Sequence, residues 1–297
     1  MSKQLHCRNI DKQITEEWLN GATTEQLRVK YGYKTRKSIT DKLKKNGIND
    51  VDFKAKKQQK KTWNLSLDHI HEFEAYFLGL MATDGYVQSK SNQFGIDLTD
   101  EDCIKYISTV TNKKYSTYIK QDYKNNGVSQ IGFHTVQTKR PVHRIVFNDE
   151  ILYNQLLNRG ITPKKSSTIQ KVFFSQEEER YIPYFIRGVI DGDGTIGHTS
   201  GGTLYFKIVS HSESFTNWIV SILETKMYMD NIHVYYKQEQ DMYEIYSSDS
   251  ANIEKLYVLS YLSPMGMSRK RNKLIEGRSE TIIRTSNEEC IVQTTTD

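Results

Sequence analysis

The sequence lacks any apolar run long enough to cross a bilayer. Its longest apolar stretches, around residues 76–82 and 181–190, fall far short of the roughly 20 residues that a spanning helix needs. The opening residues, MSKQLHCRNIDK, contain no apolar stretch, so no secretory signal is expected. Cysteine is scarce. Cys7, Cys103 and Cys290 form no CxxC pair and cannot all pair with one another. That excludes a disulfide scaffold and a cysteine-built zinc finger, and it suits thiols in a reducing compartment. What remains is a chain of 297 residues, 37% hydrophobic and 26% charged, too apolar to be wholly disordered and long enough to bury a sizeable core. At roughly 150 residues per domain, about two domains are expected.

Charge is unevenly spread. Residues 1–62 carry 16 Lys and Arg against 7 Asp and Glu, a net of +9, while the remainder carries 25 against 29, a net of −4. A basic module on a slightly acidic body suits a nucleic-acid-binding attachment. Within the module, Ile14, Trp18 and Leu19 sit at helical spacing and Gly21 stops that segment. Thr24 is placed to cap a second helix with Leu27 and Val29, Gly32 makes the next turn, and Ile39 and Leu43 mark a third helix. This segment resembles the helix-turn-helix family of small DNA-binding domains. The resemblance implies that the start of the third helix, with Lys34, Thr35, Arg36 and Lys37, enters the DNA major groove. Arg and Lys there suit guanine or phosphate, and Thr suits backbone oxygens. The domain is expected over 1–50, followed by a basic linker over 51–67 that holds the run KAKKQQKK at 54–61.

The body repeats itself. Residues 76–87 read YFLGLMATDGYV and residues 185–196 read FIRGVIDGDGTI, so Asp84 and Asp193 occupy equivalent positions. Each copy is followed by an alternating segment, a polar turn and a helix start. Duplication of this length implies two half-domains about a pseudo-two-fold axis. Ala75, Gly79 and Thr83 are small residues four apart, as are Gly188 and Gly192, so each set forms one stripe of a helix. Such stripes let two backbones approach closely. Phe73, Phe77 and Leu80 lie on another stripe, suited to a core beneath a sheet. If the small stripes face each other, Asp84 and Asp193 meet at one end of the pair, and Gly85 and Gly194 supply the turns out of the helices. Two carboxylates at adjacent helix C-termini repel each other and the helix dipoles. A divalent cation relieves this, and Mg²⁺ favours one or two carboxylates plus phosphate oxygens and water.

Residues 77–85 (FLGLMATDG) and 186–194 (IRGVIDGDG) resemble the paired motifs of single-chain LAGLIDADG homing endonucleases. The resemblance implies an α+β fold of two αββαββα halves, here 68–170 and 171–297. The motif helices would form their interface, and antiparallel saddle sheets would sit in the major groove. It implies a monomer that uses Mg²⁺ (or Mn²⁺) to cut both strands of double-stranded DNA at a long asymmetric site, leaving 3′ overhangs. Carried over by position, Asp84 and Asp193 are catalytic metal ligands, and Gly85 and Gly194 are metal-binding residues beside them. Asp100, His211 and Ser212 in the polar turns, and Lys207, are accessory residues. The sixth motif position is Asp191 in the second copy but Ala82 in the first. The family's basic residue near the end of a last strand has no counterpart in 147–149 or 246–249, which leaves Lys139, Arg140, Lys207 and Lys237 as alternatives. Lys164 and Lys165 (in GITPKKS) and Arg269, Lys270 and Arg271 (in MGMSRKR) close the two halves alike, either as helix caps or as phosphate contacts.

Strands are expected at 86–90 and 93–98, at 115–123 and 130–137 around a KNNG turn, and at 142–148. The second half repeats them at 195–198, 203–210, 232–237 and 242–247. Alternation puts Leu204, Phe206 and Ile208 on a helix-covered face and Tyr205 and Lys207 opposite, and it groups His233, Tyr235 and Lys237. With Gln88 and Lys90 these are the candidate DNA-contacting residues. The expected protein is an intron-encoded or free-standing endonuclease, since neither terminus matches an intein. It would be cytoplasmic and nucleoid-associated in a bacterial or phage-infected cell. The alternatives on the same fold are a non-catalytic transcription regulator and an RNA-splicing maturase.

Overall fold

The computed structural model describes residues 2–53, 63–119 and 141–278, with side chains from residue 10 onward. The KAKKQQKK run, the KNNG hairpin turn, Lys139, Arg140 and Cys290 lie outside the described residues, as does the Cys7 side chain. The chain separates into two compact units, residues 1–62 and 63–297.

The first unit holds α1 (Ser2–Leu19), α2 (Thr24–Lys30) and α3 (Arg36–Lys45). Their core is Ile14, Trp18, Leu27, Ile39, Leu43 and Ile48. Leu19 and Val29 point to solvent instead. The second helix starts one residue earlier than the sequence suggested. Thr23, not Thr24, is its N-cap, because Thr23 accepts from Gln26 N while the Gln26 side chain accepts from Thr23 N, a reciprocal capping box. Gly32 is in the left-handed region, which closes the turn between α2 and α3.

The second unit runs α4 (Glu72–Ala82), β1 (Gly85–Val87), β2 (Gln93–Leu98), α5 (Glu101–Thr111), β3 (Ser116–Ile119), β4 (Pro141–Asn148) and α6 (Glu150–Asn158). The series then repeats as α7 (Ile182–Asp193), β5 (Gly194–His198), β6 (Leu204–Ser210), α8 (Glu213–Lys226), β7 (His233–Lys237), β8 (Met242–Ser247) and α9 (Ser250–Leu256), followed by a last helix, α10, over 268–278. The sheets have identical antiparallel order, β1-β2-β4-β3 and β5-β6-β8-β7. Register is equivalent too: Gly85 faces Ile96 as Gly194 faces Ile208. Asp149 and Asp249 cap α6 and α9 in the same way, each accepting two backbone N–H groups. The unit is therefore α+β and pseudo-symmetric, two αββαββα halves.

Alternation fixes which face each sheet buries. Leu204, Phe206 and Ile208 are buried while Tyr205 and Lys207 are half-exposed, as expected. On β4, Ile145 and Phe147 turn inward and Arg144 outward. The first hairpin is shorter than expected. β1 stops at Val87, because the Gln88 amide closes a turn onto Gln93 O and its carbonyl accepts the Tyr153 hydroxyl. Gln88 and Lys90 thus lie in the exposed hairpin turn rather than on a strand. Residues 63–67, expected in the linker, pack on the body: Asn64 N donates to Thr111 O, and Leu67 is buried.

Candidate active site at the paired motif helices

Helices α4 and α7 cross with backbones in contact. A Cβ on Gly79 would sit 2.2 Å from Phe185 O, and one on Gly188 would sit 2.2 Å from Tyr76 O. One on Gly192 would sit 2.0 Å from Thr83 Oγ1. All four expected interface residues, Gly79, Thr83, Gly188 and Gly192, therefore line the crossing. Gly85 and Gly194 have a different reason from the one expected. Neither is in the left-handed region. Each begins a strand that folds straight back over its own helix, so a Cβ would meet the Cα of Met81 or Ile190 at 2.6 Å.

The crossing brings the motif aspartates together. Asp84 Oδ2 lies 3.4 Å from the Cβ position of Gly192, the residue before Asp193. Burial and the neighbouring Asp193 carboxylate push the Asp84 carboxyl up to about 6, against the pull of Lys270 and Lys165. Burial also raises Asp193, opposed by Lys165, Lys270 and His211. Asp84 is half-buried and Asp193 exposed, and both lie under the influence of the same two lysines. A cleft of about 260 Å³ opens beside Asp193, lined also by Thr83, Lys165, Ser210 and His211.

Two buried lysines flank the pair, one from each half. Lys165 Nζ donates to Thr83 O at 2.5 Å. Lys270 Nζ donates to Ile190 O at 2.5 Å and to Asp191 O and Gly194 O at 2.7 Å. They occupy the C-terminal ends of α4 and α7, where orphan carbonyls and the helix dipole favour a cation. Burial lowers both ammonium groups, Lys270 to about 8. Of the lysines weighed from sequence, Lys207 and Lys237 instead share Glu244 on the sheet face, at 3.3 and 3.6 Å. The signal for Lys165 and Lys270 was the like closure of the two halves, but only folding returns those segments to the aspartates.

The accessory residues divide. His211 Nδ1 donates to Asp241 O (2.7 Å), and the residue borders the cleft. Ser212 caps α8 and its hydroxyl donates to Ile169 O. Asp100 is held by Arg269, with Nε to Oδ1 at 2.9 Å and Nη2 to Oδ2 at 3.1 Å, which keeps its carboxyl below the usual range. The motif asymmetry is also explained. Asp191 is buried and accepts from Tyr76 and Tyr261 hydroxyls and from Met267 N, with Arg187 Nε 3.8 Å away. Ala82 has only apolar packing to supply.

On the outward sheet faces, Arg144 forks onto Asp97 and lies over Tyr118. Tyr205 packs on Tyr246, and the His233 and Tyr235 rings stack at 6.3 Å. In the first unit Lys34, Thr35, Arg36 and Lys37 are exposed around the start of α3, with Thr35 as its N-cap and Arg36 paired to Glu25.

The architecture is the one that the LAGLIDADG resemblance implies. The sequence matches no family model and no curated protein. Solved structures similar to the chain include a single-substitution variant of I-SmaMI (TM-score 0.47, 10% identity, covering 73% of this chain and 92% of that one). Meganuclease I-SmaMI bound to uncleavable DNA aligns with TM-score 0.43 at 10% identity over 74% and 92%. The I-LtrWI LAGLIDADG homing endonuclease bound to target DNA aligns with TM-score 0.39 at 12% identity over 73% and 96%. No helix among the described residues is long and apolar enough to cross a membrane.

Proposed function

We propose that this chain is a site-specific endonuclease that hydrolyses both strands of duplex DNA with a divalent cation held by Asp84 and Asp193. The observation that carries this reading is the meeting of the motif aspartates at the joined helix ends, Asp84 half-buried and Asp193 exposed, flanked by a buried lysine from each half. The donor set fits a hard cation: two carboxylates whose mutual repulsion a cation would relieve, leaving positions for phosphate oxygens and water. Among the described residues, no third His, Cys, Asp or Glu joins them. When bound, Mg²⁺ or Mn²⁺ would activate water and stabilise the leaving oxygen. Lys165, in the cleft wall, and Lys270, behind the aspartate pair, set positive charge where a scissile phosphate would bring negative charge. The carbonyl of Gly194 is engaged by Lys270, so the lysine and any cation compete for its lone pairs.

The outward tyrosines and cations of the two sheets offer donors to base edges and phosphates. The basic three-helix unit adds a second contact that lengthens the footprint and raises affinity. The test is to incubate the protein and Mg²⁺ with a duplex made by joining the sequences that flank its own gene. A defined double-strand break is expected, lost in Asp84→Asn and Asp193→Asn while binding persists. Wild-type cutting by either variant would refute the site. Binding of that duplex without cutting at any divalent-metal concentration would favour a regulator.

A further inference from the structure

The segment that delivers Lys270 is held from both halves. Three consecutive residues before it are each fastened by a different carboxylate. Met267 N donates to Asp191 Oδ2 at 3.0 Å. Ser268 donates to Asp102 Oδ2 through its amide (2.8 Å) and its hydroxyl. Arg269 forks onto Asp100. Asp191 belongs to the second half, but Asp100 and Asp102 stand at the start of α5 in the first. Gly266, left-handed at φ 70°, lets the segment pass so close over Tyr76 and Asp191 that a Cβ would overlap both.

The counterpart in the first half is held differently. By register Ser212 is the equivalent of Asp100, since Ile96 and Ile208 match. Among the described residues, Ser212 reaches across through its hydroxyl to Ile169 O, four residues beyond Lys165. Thus, among the described residues, the turn before α5 clamps one lysine arm through charged groups, and the matching turn before α8 meets the other through a neutral hydrogen bond. Charge-assisted forks are the stronger and more directional restraint. They also place acids at the N-terminus of α10, where the dipole favours them.

We infer that Asp100 and Asp102 are positioning residues that hold Lys270 against the C-terminal end of α7 from across the half-domain boundary. Neither touches the reacting atoms. The consequence for catalysis rests on the endonuclease reading, but the restraint itself does not. Loss of the clamp frees one arm only, so it unbalances the two half-sites.

The test uses full-length protein and two readouts. The first needs no DNA: sub-stoichiometric acetylation by sulfosuccinimidyl acetate, quantified per lysine by mass spectrometry. In Asp100→Asn/Asp102→Asn, acetylation of Lys270 should rise roughly tenfold, the scale of one lost charge-assisted hydrogen bond. Lys165 should stay unchanged, and the reciprocal swap Asp100→Arg/Arg269→Asp should bring Lys270 back toward the wild-type rate. The second is single-turnover cutting of the joined-flank duplex, end-labelled on each strand. One strand should slow roughly tenfold and the other should not, with a nicked species accumulating. If the double variant does not fold, Arg269→Gln removes the same fork from the other side. Unchanged Lys270 acetylation overturns the clamp, and so does equal slowing of both strands. If wild type cuts nothing while Lys270 acetylation responds, the clamp stands and the endonuclease reading falls.

Discussion

Replacing Gly188 with Ala opposes two physical effects of known sign. In a helix interior the change should stabilise by about 1 kcal/mol, because Ala loses less backbone entropy than Gly. Here the new Cβ would meet Tyr76 O at 2.2 Å, Gly79 Cα at 2.9 Å and Leu80 N at 3.0 Å. All three are backbone atoms, so no rotamer change removes the overlap. The helices must part by something near 1 Å along their most intimate contact. Overpacking costs about 1–3 kcal/mol and more where backbone must move. The upper end applies, and a net loss of about 2 kcal/mol follows. For a unit of this size that lowers the melting temperature by about 4–8 °C. Parting the helices also parts Asp84 from Asp193, so cutting should fall more than stability does, by at least roughly tenfold for a displacement of this order. Thermal melts of Gly188→Ala beside Gly201→Ala give the comparison. At Gly201 a Cβ meets only Thr199 Oγ1, at 3.8 Å, and no change is expected. A Gly188→Ala protein that melts at or above wild type would show that propensity wins, and the close crossing would be refuted.

Asp84→Asn should stabilise the metal-free protein while abolishing cutting. The carboxyl sits near 6 in the fold against 3.8 in an ordinary setting, so its ionisation opposes folding at neutral pH. The variant should gain about 1–2 kcal/mol at pH 7, allowing for partial solvation, and the gain should fade as pH drops from about 6 to below 4 in urea titrations. Arg159 and Glu178 form a buried pair that also ties down Ile70 N, Ser175 N and Leu67 O, pinning the segment between the halves. Burial opposes the Glu178 charge, but these bonds outweigh it and bring the carboxyl down to about 2. Its contribution of about 2–3 kcal/mol, full at neutral pH, should disappear as pH falls from about 4.5 to 2, and Glu178→Gln should flatten that part of the acid-unfolding curve. Substituting Lys34, Arg36 and Lys37 by Gln should weaken DNA binding and lower the slope of log affinity against log salt by about 0.9 for each phosphate that the variant no longer neutralises. An unaltered slope would exclude α3 from the interface.

Local pattern determined much of this protein. The duplicated motif, the glycine stripes, the alternation in β6 and the acid at each helix end are properties of neighbouring residues, because helix and strand periods are short. The sequence alone therefore contained the two halves and the meeting of Asp84 with Asp193. Tertiary structure decided the rest. Lys165 and Lys270 reach the site from the far end of each half, Asp100 and Asp102 serve the other half's loop, and Gly85 and Gly194 are small because a strand returns over its helix. Such contacts join residues tens to more than a hundred positions apart. No periodicity encodes them; they exist only once two buried helices have brought the halves together.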